Sequence, residues 1–183
     1  DGALFSSDFR APERLFSLLM QSAGRAGRDA AYLATQGSTA EMWIQTHHAE
    51  HPLFQALRRH DYPAFAAQQL EERQAAAMPP FAYQALVRAD ARTQEAAQAF
   101  LNAASAAADG LEGAAQVMRY PAVPLAIQRV ANVERAQMLL ESHSRAALQR
   151  MLALWQPQLH ALRRTPEGKG VIRWLVDVDP QGI

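Results

Sequence analysis

Residues 83–110, YQALVRADARTQEAAQAFLNAASAAADG, change rhythm from a period of two to a period of 3.6 within a few positions. Tyr83, Ala85, Val87 and Ala89 alternate with Gln84, Leu86 and Arg88, which predicts a strand. Thr93 then stands where a side-chain oxygen can cap a helix. The stripe of that helix is Ala97, Phe100, Leu101, Ala104 and Ala108, and Gly110 marks its end. Downstream, residues 116–130 read as extended, with Pro121 and Pro124 confining part of the run to an edge or a loop, because proline brings no donor to a ladder. Ala131-Asn132 turns the chain into a strand over 135–141. Ser142 or Ser144 starts a second helix carrying Leu148, Met151, Leu152, Trp155 and Leu159. Pro157 is expected to end or kink it, since the amide that would bond the carbonyl of Ala153 is missing. Val171 to Val178 is the last strand. The order β-α-β-β-α-β is that of the split β-α-β type of α+β sandwich, with both helices on one face of an antiparallel sheet.

Upstream, Pro79-Pro80 is the expected domain boundary. Before it, residues 52–60 and 62–77 read as helices and 41–46 as a short strand. Pro12 suits the first turn of an earlier helix, with Glu13 at the positive end of its dipole. Leu15, Leu18, Leu19 and Ser22 form its predicted stripe, widened by Phe16, Met20 and Ala23. Trp43, Trp155 and Trp174 all fall in apolar patterns and are expected in the core.

The chain has 183 residues, 49% of them hydrophobic, with 18 basic and 18 acidic side chains and no cysteine. That excludes wholesale disorder, disulfides and cysteine-ligated zinc within these residues, and fits a cytoplasmic protein. No signal peptide and no run of about 18 apolar residues is present, so no membrane partner is expected. The chain opens on Asp1 and in mid-pattern, as a piece of a longer protein would. Overall neutrality hides a local bias. Residues 119–164 hold seven arginines (119, 129, 135, 145, 150, 163 and 164) against Glu134 and Glu141. Such a patch suits a phosphate backbone, and equally a solvated surface.

The segment with most chemistry is 21–28, QSAGRAGR. On a helix, Gln21, Arg25 and Arg28 fall at i, i+4 and i+7 and share a face, while Gly24 and Gly27 keep it free of bulk. Two guanidiniums on one stripe can engage a terminal phosphate through several charge-assisted bonds. The same residues also suit a basic helix C-terminus that complements the dipole.

QSAGRAGR resembles motif VI, QxxGRxGR, of the superfamily-two helicases. Around it stand Asp1-Gly2-x-Leu4, Asp8-Phe9-Arg10-Ala11-x-Glu13-Arg14, Ile44-Gln45-Thr46, Asp61-Tyr62-x-x-Phe65, Leu70-x-Glu72-Arg73 and Asp177-Val178-Asp179-Pro180. In that order they resemble, over essentially the whole chain, the primosomal protein N′ family of PriA-type replication-restart DNA helicases. The resemblance implies an ATP-driven 3′-to-5′ helicase, a hydrolase that recognises stalled forks and restarts replication by primosome assembly. It implies ATP and Mg as cofactors of the parent, held jointly with another lobe. It implies zinc in the parent outside this chain, and no cofactor held by this piece alone. Forked and single-stranded DNA, single-strand-binding protein and other primosome proteins are the implied partners. Residues 1–50 would be the C-terminal remnant of a RecA-like helicase lobe, 51–78 a helical connector and 79–183 an α+β DNA-binding domain, giving an α/β plus α+β chain. Gln21, Gly24, Arg25 and Arg28 would face ATP, with Arg25 or Arg28 as the arginine finger, and Arg119, Arg129 and Arg135 would contact DNA. Two positions depart from the family pattern. Tyr120-Pro121 stands where Gly-Pro is usual, and Val133-Glu134-Arg135 keeps only Arg135 of a basic run.

Alternatives from other classes are a non-enzymatic nucleic-acid- or protein-binding module, and another superfamily-two repair translocase. His47, His48 and His51 are read as no metal site, because only Glu50 accompanies them before Pro52. Asp177 and Asp179 are read as part of a closing turn before Pro180 rather than as a cation site.

Overall fold

The computed structural model describes residues 1–6, 8–26, 34–35, 37, 40–130 and 132–183, with the side chains of 126 and 128–130 outside the description. The chain divides into two compact bodies, Asp1–Ala76 with Gly182, and Ala77–Gln181 with Ile183.

The described part of the first body is helical. A short 3-10 turn, Gly2–Phe5, precedes α1 (Ala11–Ala26), and α2 (Pro52–Arg58) and α3 (Tyr62–Ala75) follow. Local sequence sets each start. His51 Nδ1 accepts the N–H of Leu53 at 3.2 Å ahead of Pro52, and Asp61 Oδ1 accepts the N–H of Ala64 at 3.0 Å ahead of α3. The buried cluster is Phe16, Leu53, Phe54, Ala56, Leu57 and Phe65. α1 is rotated from its expected stripe. Phe16 and Ala11 are its buried side chains, Phe16 in the cluster, and Leu15, Leu19 and Met20 flank the cluster, whereas Leu18 and Ser22 are exposed. The cause is the Phe16 ring, which stacks on Phe65 with centroids 4.3 Å apart; an aromatic buries more area than a leucine and sets the rotation.

Two further expectations fail here. Residues 41–46 form no strand, and Trp43 is 89% exposed rather than in the core. An extended segment needs a ladder partner, and no described residue supplies one. The end of the segment is tied instead to Asp1, whose carboxylate accepts the Thr46 hydroxyl and, at 3.1 Å, the N–H of His47.

The second body contains a five-stranded antiparallel sheet and two helices. Its elements are β1 (Tyr83–Ala91), α4 (Gln94–Ala107), β2 (Met118–Arg119), β3 (Val123–Val130), β4 (Val133–Ser142), α5 (Arg145–Leu162) and β5 (Val171–Val178). β1 lies between β4, in register from Tyr83↔Ser142 to Ala91↔Glu134, and β5, from Ala85↔Val178 to Asp90↔Arg173. β2 and β3 both pair with β4, at Met118↔Glu141 and Val123↔Gln137, so together they make one broken edge. Pro121 falls in the break, and the register shifts between Pro124 and Arg129.

One face of this sheet, with Ala85, Val87, Ala89, Ala136, Met138 and Leu140, packs in a single cluster with Ala97, Phe100, Leu101 and Ala104 of α4 and Leu148, Met151, Trp155 and Leu159 of α5. Trp155 is fully buried, and its indole N–H donates to the carbonyl of Ala104 at 2.8 Å, joining α5 to α4. Trp174 is partly buried against the same core. Thr93 caps α4, and Ser144 rather than Ser142 caps α5, since Ser142 Oγ donates to the carbonyl of Gln116 at 2.7 Å. Pro157 does not end α5, which continues to Leu162. The buried Leu159 and partly buried Leu162 extend the apolar stripe past the proline and hold the last turn against the core, offsetting the lost bond.

Candidate functional site

The outer face of α1 carries Gln21, Gly24 and Arg25, all exposed and spaced three and four residues apart. Neither the Gln21 amide nor the Arg25 guanidinium has a partner among the described residues. A Cβ built on Gly24 would meet nothing within 4 Å. Arg25 also stands in the last turn of α1, where its charge complements the dipole. Arg28 lies outside the described residues.

The residues before that face are structural. The carboxylate of Asp8 accepts the N–H of Arg10 at 2.9 Å and pairs with Arg14. Burial raises the Asp8 carboxyl, but the bonds from Arg14 and Arg10 and their two positive charges outweigh it, leaving the group below its ordinary value. Arg73 donates to Glu13 at 2.9 Å and lies 5.0 Å over the ring of Phe9. The quoted Asp8–Arg14 and Leu70–Arg73 segments thus fasten α1 to α3 within the first body.

The arginines of 119–164 are mostly engaged. Arg119 pairs with Asp109, Arg150 with Glu112 at 2.6 Å, and Arg163 donates to the carbonyls of Val171 and Ile172. Arg135 Nε stands 3.7 Å from Asp90, which also accepts Arg173 Nε at 2.6 Å. Arg129 lies in β3 opposite Glu134, with its side chain outside the description. Arg145 and Arg164 are exposed, and their side chains have no partner among the described residues. The Asp90 hub went unnoticed in the sequence. Its signal was the alternation of β1, which puts Asp90 on the face opposite Ala89 and Ala91 and in register with both Arg135 and Arg173.

Tyr120, at the departure from the family pattern, has its hydroxyl 3.4 Å from Glu141, whose negative charge, with burial and the hydrogen bond, raises the phenol above its ordinary value. The histidines serve local structure: His48 meets the ring of Phe5 edge-on and His51 caps α2. Among the described residues, no group of three His, Cys, Asp or Glu could hold a metal ion. Asp177 stands 4.0 Å from Arg88, and Asp179 turns the chain with a φ of 53° while its N–H donates to the carbonyl of Gln84. No described helix is long and apolar enough to cross a membrane.

The family model of the primosomal protein N C-terminal domain matches residues 74–181. Among curated relatives, the replication restart protein PriA of Haemophilus influenzae is 36% identical over 100% of this chain and 23% of its own length. The protein of that name from Synechocystis is 30% identical over 77% of this chain and 16% of its own length. That from Treponema pallidum is 42% identical over 44% and 11%. The chain therefore spans less than a quarter of the length of these relatives. With one domain matched across more than half of its residues and a relative aligned along all of them, the chain belongs to the primosomal protein N family.

Proposed function

We propose that this chain is the C-terminal part of a cytoplasmic, ATP-dependent 3′-to-5′ DNA helicase that acts in replication restart at stalled forks, with primosome proteins and single-strand-binding protein as partners. The observation that carries the reading is the exposed Gln21–Gly24–Arg25 face of α1, in a motif VI sequence, on a chain whose relatives bear the name replication restart protein. Those residues fit a nucleotide's terminal phosphate: a guanidinium and an amide on one stripe, unengaged by described neighbours, with no side chain at Gly24 to hold a ligand off. Gln21, Arg25 and Arg28 would contact ATP bound by another lobe, and Mg-ATP would supply the phosphoryl group whose transfer drives the helicase. Arg25 or Arg28 would neutralise the charge that builds on that group, a contribution of about 10³–10⁵ in rate. Residues 1–50 would belong to the helicase lobe, 51–78 to the connector, and 79–183 to the DNA-contacting domain.

In that domain Arg119 and Arg135 would have to leave Asp109 and Asp90 to meet phosphate, so Arg145 and Arg164 are added as the readier contacts, with Arg129 beside them. Titrating labelled fork and single-stranded DNA into the 183-residue chain at several salt concentrations tests this reading. About two phosphate contacts give a log–log slope near −2 and micromolar or weaker affinity at physiological salt. Arg145→Ala with Arg164→Ala should flatten the slope more than Arg119→Ala with Arg135→Ala. Binding that ignores salt, or none at about 50 mM salt, would favour a protein-binding module instead. The chain alone should show no ATP turnover, because it contains no Gly-rich phosphate loop.

A further inference from the structure

Among the described residues, Asp90 is the sole charged side chain in the buried class. It serves two arginines at once. The β1–β4 register sets Arg135 beside it and the β1–β5 register sets Arg173 on its other side. All three share the sheet face turned away from Ala89, Ala91 and the helices packed on them. Asp90 Oδ2 accepts Arg173 Nε at 2.6 Å, whereas Oδ1 stands 3.7 Å from Arg135 Nε, too far for a hydrogen bond. The Arg135 Nε–H is buried with no acceptor among the described residues, and the terminal amino groups of both guanidiniums have none either. One carboxylate therefore leaves this pair with a surplus positive charge and most of its donors unused.

Together with Val133 and Ile172, the three side chains line an open depression of about 380 Å³, room for a phosphodiester. Arg92, whose N–H donates to the carbonyl of Gly170, and Lys169 stand at the same end of the sheet. Both are exposed, with side chains unpartnered among the described residues. Asp90 lies on the floor of the depression, with 11% of its side chain exposed. A phosphate arriving from solvent meets the terminal amino groups of both arginines, where two guanidiniums can share one anion through charge-assisted bonds. Resting on the reading of 79–183 as the DNA-contacting domain, we propose that Arg135 and Arg173 form a clamp for one backbone phosphate of DNA, and that Asp90 holds this clamp shut by competing for the same guanidiniums. Arg173, with 70% of its side chain exposed, turns from Asp90 to the phosphate, and Arg135 has no hydrogen bond to break there.

Asp90→Asn keeps the shape of the side chain and removes the competing charge. Titrated with labelled fork DNA near about 50 mM salt, the 183-residue chain carrying it should bind about tenfold tighter than the unaltered chain. Its log–log salt slope should steepen by about 0.9, for one more phosphate neutralised. Adding Arg173→Gln should abolish both gains. Glu95→Gln, exposed in the first turn of α4, removes the same charge without releasing an arginine and should shift affinity less than about twofold. In the unaltered chain, which needs no substitution to fold, the Nε–H resonances of Arg135 and Arg173 should move when the fork is added, while that of Arg150 stays. Bound DNA with both resonances unmoved, Asp90→Asn binding no tighter than the unaltered chain, or an equal gain from Glu95→Gln overturns the clamp and leaves DNA contact to Arg145 and Arg164. No binding by any of these chains near about 50 mM salt overturns the DNA-contact reading and the clamp together.

Discussion

Residues 77–181 bury the apolar faces of two helices and a sheet against one another, whereas residues 1–76 close over a small cluster centred on Phe16 and Phe65 and leave Phe5, Leu18 and Trp43 exposed. Trp155 and Trp43 make the contrast concrete. Both stand in apolar sequence, yet one is fully buried with its N–H satisfied and the other is 89% exposed. An apolar pattern states what a segment could bury, and the partner decides whether it does.

The largest expected effect tests that contrast directly. Trp155→Ala should cost the second body about 3–5 kcal/mol, whereas Trp43→Ala should lie within about 0.5 kcal/mol of zero, both read from urea unfolding of this chain. Comparable losses at the two sites would show that Trp43 is covered in solution. Next in size, Phe16→Ala removes the ring stacked on Phe65 and should destabilise the first body by about 3 kcal/mol, read as earlier loss of amide protection in α1–α3 than in β1, β4 and β5. Simultaneous loss in both bodies would mean that they unfold as one.

The smallest effect is in pH. Asp8 is held below its ordinary value in the folded chain, so its contribution is complete above the unfolded carboxylate pKa of about 3.9 and is lost as pH falls through the depressed folded value. The stability difference between the unaltered chain and Asp8→Asn should therefore be flat above about pH 5 and shrink in more acid solution. A difference unchanged down to about pH 2 would remove Asp8–Arg14 pairing from the account.

The same contrast explains what the sequence made legible. The strand–helix–extended run–strand–helix–strand order of 83–178 follows from periodicity, the extended run being split into β2 and β3, because each element there finds its partner within a hundred residues of chain. The cap at Thr93, and Ser144 as one of two candidates, were legible for the same local reason. The rotation of α1 was not, since it depends on Phe65 in a later helix, and the persistence of α5 past Pro157 depends on tertiary packing of Leu159 and Leu162. At the candidate site, the shared face of Gln21, Gly24 and Arg25 follows from spacing along α1. The engagement of Arg119 and Arg135 did not, because their carboxylate partners, Asp109 and Asp90, are set by loop conformation and by β1–β4 register.

The most direct test of the functional account is steady-state, DNA-stimulated ATP hydrolysis by the full-length parent protein carrying Arg25→Ala or Arg28→Ala, measured beside nucleotide-free DNA binding and thermal unfolding. If either arginine neutralises charge at the transferring phosphoryl group, at least one substitution lowers kcat by about 10²-fold or more, with DNA affinity and unfolding temperature unchanged. Hydrolysis that survives both substitutions while the protein loses stability would contradict the account and leave these residues as the basic end of a helix.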